Sequence, residues 1–164
     1  MLKYRRICAA DDETIAGIIR TNLENLHLNI PGTAYFDPEL DRLSAYYNAE
    51  PERRAYFVAL DERDQVVGGA GAAEFAGIPD CAEIQKLYLG DSAKGRGYGR
   101  ELMGIAENWA REAGYKKLYL ETHSNLKAAM GLYEKLGFRQ VGRRPNYYSH
   151  PKEDGLILRK EWEN

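Results

Sequence analysis

The run Lys94-Gly95-Arg96-Gly97-Tyr98-Gly99-Arg100 constrains this chain more than any other. It follows a strand-like run, Glu83-Ile84-Gln85-Lys86-Leu87-Tyr88-Leu89, and opens a helix-like run from Glu101 to Ala113. Glycines permit tight turns and let a ligand approach the backbone closely. Backbone N–H groups at a helix N-terminus form an anion site. Lys94, Arg96 and Arg100 add positive charge. A strand, a short loop and a glycine-rich basic helix start therefore predict a phosphate-binding β-loop-α unit.

The remaining patterns predict one domain over residues 1–164. Strands are expected at 3–8, 55–60, 65–73, 82–89, 117–121, 138–142 and 156–160. Asp11 or Asp12 is expected to cap a first helix, and Asp37-Pro38 to open a second that runs to about Tyr47. A last helix is expected from Ala128 to Leu136, capped by Ser124 or Asn125, with Gly137 as its stop. Asp61-Glu62-Arg63-Asp64 reads as a hairpin turn. Gly68, Gly69 and Gly71 predict a bulge or a close neighbour in their strand. Hairpins early and β-α-β units late give an α+β class, with a mixed, mostly antiparallel central sheet flanked by helices.

A formal net charge of −2 argues against broad contact with nucleic acid, which needs a basic surface. No stretch approaches the roughly 20 apolar residues of a membrane span. The N-terminus has no apolar run after its basic residues, so no secretory signal is expected. Cys8 and Cys81 form no metal or redox motif and read as small core residues. No metal is expected, and the default setting is the reducing cytoplasm.

Three ligands compete for the glycine loop. Glu121 stands where a ribose-binding acid would follow a dinucleotide loop. The glycines, however, run G-x-G-x-G, and a segment intervenes between Leu89 and Gly95 where a dinucleotide turn would be immediate. A nucleotide P-loop fails because no Gly-Lys-Ser/Thr closes the run. An acyl-CoA pyrophosphate resting on the N–H groups of residues 95–100 remains, with its pantetheine arm beside residues 87–89.

Here the sequence resembles the GNAT acetyltransferase superfamily. Leu87-Tyr88-Leu89 through Lys94-Gly95-Arg96-Gly97-Tyr98-Gly99 is similar to that family's coenzyme motif, Arg/Gln-x-x-Gly-x-Gly/Ala, with Lys94 in the first place. Ala129, then Leu132-Tyr133-Glu134-Lys135-Leu136-Gly137-Phe138, is similar to its second motif. The resemblance implies the GNAT acyl-CoA N-acyltransferase fold, acetyl-CoA as cosubstrate, and transfer of acetyl to a primary amine in a ternary complex. It implies coenzyme contacts from Leu87, Tyr88, Leu89, Lys94, Gly95, Arg96, Gly97, Tyr98, Gly99, Arg100 and Lys135. Many members place an asparagine seven residues before the tyrosine. Leu126 holds that position here, and Asn125, one residue early, reads equally as a coenzyme contact or an N-cap.

Amine acetylation needs a neutral amine, a polarised thioester and a proton for the departing thiolate. An alkyl amine has a pKa near 10, so a general base is useful. The resemblance makes Glu83 and Glu121 candidate bases and Tyr133 the proton donor. Each also has a structural alternative: Glu83 as an edge-strand carboxylate or a partner of Lys86, Glu121 as a partner of Lys127, and Tyr133 as a core aromatic. His123 is a weaker base candidate. A backbone N–H near Leu89 is expected to polarise the carbonyl.

The acceptor side is expected from residues 25–47 and the late strands. Glu24, Asp37, Glu39 and Asp41 can attract a cationic amine. Arg143-Arg144-Pro145-Asn146-Tyr147-Tyr148 and Glu153-Asp154-Gly155 resemble the late segment of ribosomal-protein N-terminal acetyltransferases. A small-molecule amine or amino acid is the first reading of the acceptor, and a protein N-terminus is the second. A catalytically idle acyl-CoA-binding module is the alternative from another class. Homodimers occur in such domains, but no segment here specifies an interface.

Overall fold

The computed structural model describes residues 3–123, 127–144 and 155–162. Its elements are β1 (Lys3–Arg6), α1 (Asp12–Asn25), α2 (Leu43–Asn48), β2 (Arg54–Leu60), β3 (Val66–Glu74), β4 (Cys81–Leu89), α3 (Tyr98–Glu112), β5 (Lys117–His123), α4 (Lys127–Lys135), β6 (Arg139–Arg144) and β7 (Gly155–Glu161). The strands form one sheet in the order β1-β2-β3-β4-β5-β7-β6. Neighbours are antiparallel except β4 and β5, which are parallel. The expected α+β class, with a mixed and mostly antiparallel sheet flanked by helices, is what the chain forms.

Two apolar layers cover the sheet. On one face, Ile15, Ile19 and Leu23 of α1 and Leu43 and Tyr47 of α2 pack on Tyr56 and Val58 of β2. On the other, Leu102, Met103, Ala106 and Ala110 of α3 pack on Ala59, Ala70, Ala72 and Ala82. That alanine floor lets α3 lie close to the strands. It also explains why β3 could carry small residues and still be central.

The glycines of β3 make room for one tyrosine. A Cβ at Gly69 would lie 2.4 Å from the Tyr56 ring, and one at Gly71 would lie 2.7 Å from it. The Tyr56 hydroxyl thereby reaches across β3 and donates to the Lys86 carbonyl oxygen at 2.8 Å. Lys86 sits in a β-bulge: Gly69 faces Tyr88 and Gly71 faces Gln85, so β4 carries one more residue than β3 in this interval. Its φ is +50°, a left-handed value uncommon for a side-chain-bearing residue. Gly69→Ala is therefore expected to push Tyr56 off the bulge and cost about 1–3 kcal/mol, the usual range for overpacking. Urea denaturation monitored by circular dichroism measures it.

Both early helix starts differ from expectation. Asp11 does not cap α1 with its side chain. Its buried carboxylate accepts from Arg5 at 2.6 and 3.0 Å and from the Cys8 N–H at 2.9 Å. The Arg5 guanidinium holds Asp11 below the usual carboxylate range. Asp12 instead ties α1 to α2, accepting from the Ser44 N–H at 2.9 Å and its hydroxyl at 2.7 Å. The second helix does not open at Asp37-Pro38: a 3-10 turn over Leu40–Arg42 comes first, and α2 starts at Leu43. Cys81 is buried as expected, but Cys8 is exposed and is no core residue.

Candidate active site

β4 and β5 pair only over Cys81↔Lys117, Ala82↔Leu118 and Glu83↔Tyr119. Beyond Glu83 the two strands part. β4 stays on β3 to Leu89, while β5 stays on β7 to His123. The sheet therefore opens into a V, with one edge of β4 from Ile84 to Leu89 unpaired by β5. A cleft of about 350 Å³ occupies this region, lined by Glu83, Lys86, Leu87 and Tyr88 of β4, Glu121 of β5 and Tyr133 of α4. Leu23, Leu28, Thr33 and Ala34 form its other wall. All three candidate catalytic side chains thus face one space, although Glu83 lies 38 positions before Glu121 and 50 before Tyr133.

Glu83 lies on a central strand, not an edge, which removes that alternative. Its Oε1 accepts from Gln85 Nε2 at 2.6 Å, and the Gln85 Oε1 accepts from the Tyr47 hydroxyl at 2.6 Å. Burial pushes the Glu83 carboxyl above its ordinary value, the Gln85 hydrogen bond opposes this, and the charge of Glu121 adds to it. Lys86 does not pair with Glu83. Its ammonium, 9% exposed, lies 2.7 Å from Asp37 and 3.5 Å from Glu39. Asp37 and Glu39 thus reach the cleft, whereas Asp41 pairs with Arg20 at 2.8 Å and Glu24 is exposed.

Tyr133 is held by the end of its own helix. Gly137 follows α4 with φ +92°, and its N–H donates to the Glu134 carbonyl at 3.0 Å. The Phe138 N–H donates to the Tyr133 carbonyl at 3.0 Å, which completes a Schellman cap. The Phe138 ring meets the Tyr133 ring edge-on at 6.1 Å. The Tyr-x-x-x-Gly-Phe spacing is therefore a helix cap that orients the tyrosine. Burial pushes the Tyr133 phenol up to about 12.

The glycine loop lies at the open end of β4. A 3-10 turn over Asp91–Ala93 leads into Lys94, whose ammonium pairs with Asp91 at 3.0 Å. α3 begins at Tyr98, three residues earlier than expected, with Gly97 at the N-cap in a left-handed conformation, φ +80°. The early start puts the first-turn N–H groups inside the loop, and these have no intrahelical acceptor. A Cβ at Gly95 or Gly97 would meet nothing within 4 Å, so the loop's outer face is open. Arg96 and Arg100 are exposed beside it, and Tyr98 is half-buried. At Gly99 a Cβ would touch Leu89 and Leu132, so the loop packs directly on the helix that carries Tyr133. These features fit a diphosphate at the loop and an extended arm along β4.

Leu89 packs into the α3 core, and its carbonyl accepts from the Asn22 amide at 2.8 Å. Lys135 is exposed in the last turn of α4. Asn125, Ser124 and the tyrosine pair Tyr147-Tyr148 lie outside the described residues, as does the His123 side chain. Burial pushes the Cys81 thiol up to about 11, which opposes its use as a nucleophile. Tyr47, Gln85 and Asn22 were not singled out from the sequence. The Tyr47–Gln85 and Asn22–Leu89 pairings join residues distant in the chain, and only the helical periodicity of α1 pointed toward this wall.

Residues 21–138 match the model of the acetyltransferase (GNAT) family. The uncharacterized N-acetyltransferase YjgM of Escherichia coli (strain K12) is 38% identical over 139 residues, spanning 84% of this chain and 81% of its own length. The ribosomal protein bS18-alanine N-acetyltransferase of Haemophilus influenzae is 33% identical over 102 residues, 60% of this chain and 67% of its own. The crystal structure of a GNAT superfamily phosphinothricin acetyltransferase from Sinorhizobium meliloti, in complex with acetyl-CoA, superposes with a TM-score of 0.80 at 22% identity. It covers 98% of this chain and 88% of that one.

Proposed function

This chain belongs to the GNAT family of acetyl-CoA-dependent N-acetyltransferases, and from that premise we propose that it acetylates a primary amine of a small molecule, by direct transfer within one cleft. The observation that carries this reading is the convergence of Glu83, Glu121 and Tyr133 on the space where β4 and β5 part.

The roles follow from position and protonation. The first-turn N–H groups of α3 and the open faces of Gly95 and Gly97 hold the pyrophosphate, with Lys94, Arg96 and Arg100 adding charge. The part of β4 from which β5 has diverged, at Leu87, Tyr88 and Leu89, receives the pantetheine arm, and a backbone N–H there polarises the thioester carbonyl. Acetyl-CoA supplies the activated acyl group. Glu83 accepts the amine proton, directly or through one water, and Glu121 shares that proton path. Tyr133, neutral across the working pH range, donates to the sulfur as the C–S bond breaks. Burial raises the basicity of a thiolate as it does that of a phenolate, so the elevated phenol pKa does not by itself make the transfer more uphill than in solution.

The loop is testable on its own. Gly97→Ala places a side chain at φ +80°, which costs about 1 kcal/mol of fold stability. It also sets a methyl group on the phosphate-facing side. Acetyl-CoA affinity is expected to fall about tenfold, equivalent to about 1.4 kcal/mol. Calorimetric titration beside urea denaturation separates the two effects.

The acceptor reading rests on the wall formed by Leu23, Leu28, Thr33 and Ala34, which together with β4 lines a cleft of about 350 Å³. Asp37 and Glu39 at its rim favour a cationic amine. The Haemophilus influenzae relative favours a protein N-terminus as the second reading. Mass spectrometry of products from two panels decides between them: small amines and amino acids in one, peptides with varied N-termini in the other. Acetylation confined to the peptide panel would overturn the first reading.

A further inference from the structure

We infer that Tyr47 and Gln85 are positioning residues for Glu83: Tyr47 fixes which end of the Gln85 amide meets the carboxylate, and so holds Glu83 in its proton-accepting form. This rests on the reading of Glu83 as the base. The geometry is a chain of two short hydrogen bonds, Tyr47 hydroxyl to Gln85 Oε1 and Gln85 Nε2 to Glu83 Oε1, each 2.6 Å.

The chain has a polarity set by chemistry. An ionised carboxylate can only accept, so Gln85 must turn its NH₂ toward Glu83. Its carbonyl oxygen then faces Tyr47, which must donate. The reverse order, with Gln85 Oε1 toward Glu83 and Nε2 toward the Tyr47 oxygen, requires Glu83 to carry a proton. The carbonyl oxygen of a protonated Glu83 can also accept in the forward chain, but the hydrogen bond to the charged carboxylate is stronger, so each link that favours the forward chain favours the base. Tyr47 is fully buried in α2 and packs edge-on to Tyr46 at 5.0 Å and tilted on Tyr56 at 5.2 Å. Burial keeps its phenol neutral and a donor throughout the working range. Tyr56 is also the residue that pins the Lys86 bulge. The same tyrosine pair thus sets both the backbone shape of β4 and the charge state of a side chain on it.

Other groups face Glu83 as well. Glu121 from β5 and Asp37 from the segment before α2 disfavour its charge, and Lys86 on β4 favours it. Glu39, Tyr88 and Tyr133 line the same cleft. The Tyr47 hydroxyl donates to the Gln85 amide itself, so removing it acts on the first link of the chain.

The test is the titration of Glu83, followed by side-chain carboxyl-carbon NMR in the protein without acceptor, beside the pH profile of kcat/KM. Tyr47→Phe keeps the ring, and Gln85→Met keeps the volume while removing the amide. Each is expected to move the Glu83 titration up by about one pH unit, and the acid limb of the profile with it. Activity on the acid side then falls about tenfold, with little change on the alkaline plateau. The double variant is expected to move no further than either single one, because both break one chain. An unmoved Glu83 titration in both single variants overturns the inference. A moved titration with an unmoved activity profile upholds the chain and instead removes Glu83 as the base.

Discussion

Tyr133→Phe is expected to lower kcat by about 100- to 1,000-fold, the range for losing one positioned proton donor, while leaving the KM for acetyl-CoA within a few-fold. The ring stays, so its edge-on contact with Phe138 and the Schellman cap that orients it stay too. What is lost is the one hydroxyl that α4 presents to the cleft among its described residues. A loss in kcat without a matching loss in KM marks an interaction made in the transition state rather than in coenzyme binding. The phenol's elevated pKa, about 12, adds a second expectation. Any alkaline fall in rate between about pH 8 and 10 should persist in the phenylalanine variant, because Tyr133 does not ionise there. Steady-state kinetics across pH, with both proteins at saturating coenzyme, checks both statements. An unaltered kcat would return Tyr133 to the role of a core aromatic.

Glu83→Gln is expected to have an effect of similar size, a fall of about 100-fold or more in kcat/KM for the amine. The neutral amide is nearly isosteric, so the cleft keeps its shape and coenzyme affinity is retained. The pH dependence follows from burial, which raises the Glu83 carboxyl above its ordinary value. Below that raised pKa the base is protonated and idle, so wild-type activity should climb with pH along an acid limb displaced upward from a normal glutamate. In the glutamine variant that limb should vanish. Stability changes in the opposite sense. A carboxyl whose folded pKa is raised binds a proton more tightly when folded, so its contribution is full below the unfolded pKa. That contribution is lost as pH rises through the folded pKa. Wild type should therefore lose stability across this window more steeply than Glu83→Gln, as urea midpoints at the two ends will show. If Glu121→Gln abolishes the limb and Glu83→Gln does not, the proton path runs through β5 first.

The parts legible in the sequence were those written in local patterns. Strand alternation, glycine stops and the glycine-rich helix start located the seven strands and the helices α1, α3 and α4 of the described residues to within a few positions, and the order of elements implied a mixed sheet. Gly137 was legible as a helix stop because it needs a left-handed backbone, whereas Tyr133 stood out only through the resemblance of its motif; the cap that orients it is seen in the structure. What stayed hidden depends on contacts between distant residues. Tyr47 and Gln85 are 38 positions apart, and Lys86 and Glu39 are 47 apart, so no window along the chain shows their pairing. The same cause displaced the start of α2. Asp37 had the local signature of a cap, but its carboxylate goes to Lys86 on a strand far along the chain. The Lys86 bulge was hinted at only from the other side, by the glycines of β3 that give Tyr56 its room. Asp11 likewise had a cap's signature and instead closes on Arg5.

The central claim is that acetyl passes from coenzyme to amine within the cleft between β4 and β5, with no acetyl group resting on the protein. Simultaneous measurement of free thiol released, amine acetylated and protein mass tests it most directly, with acetyl-CoA present and the acceptor supplied or withheld. The predicted result is one thiol per acetylated amine, no burst of thiol without acceptor, unchanged protein mass, and near-complete loss of both products in Tyr133→Phe. Tight coenzyme binding with no thiol released on any amine or peptide, or an acetylated protein formed before acceptor is added, would contradict it.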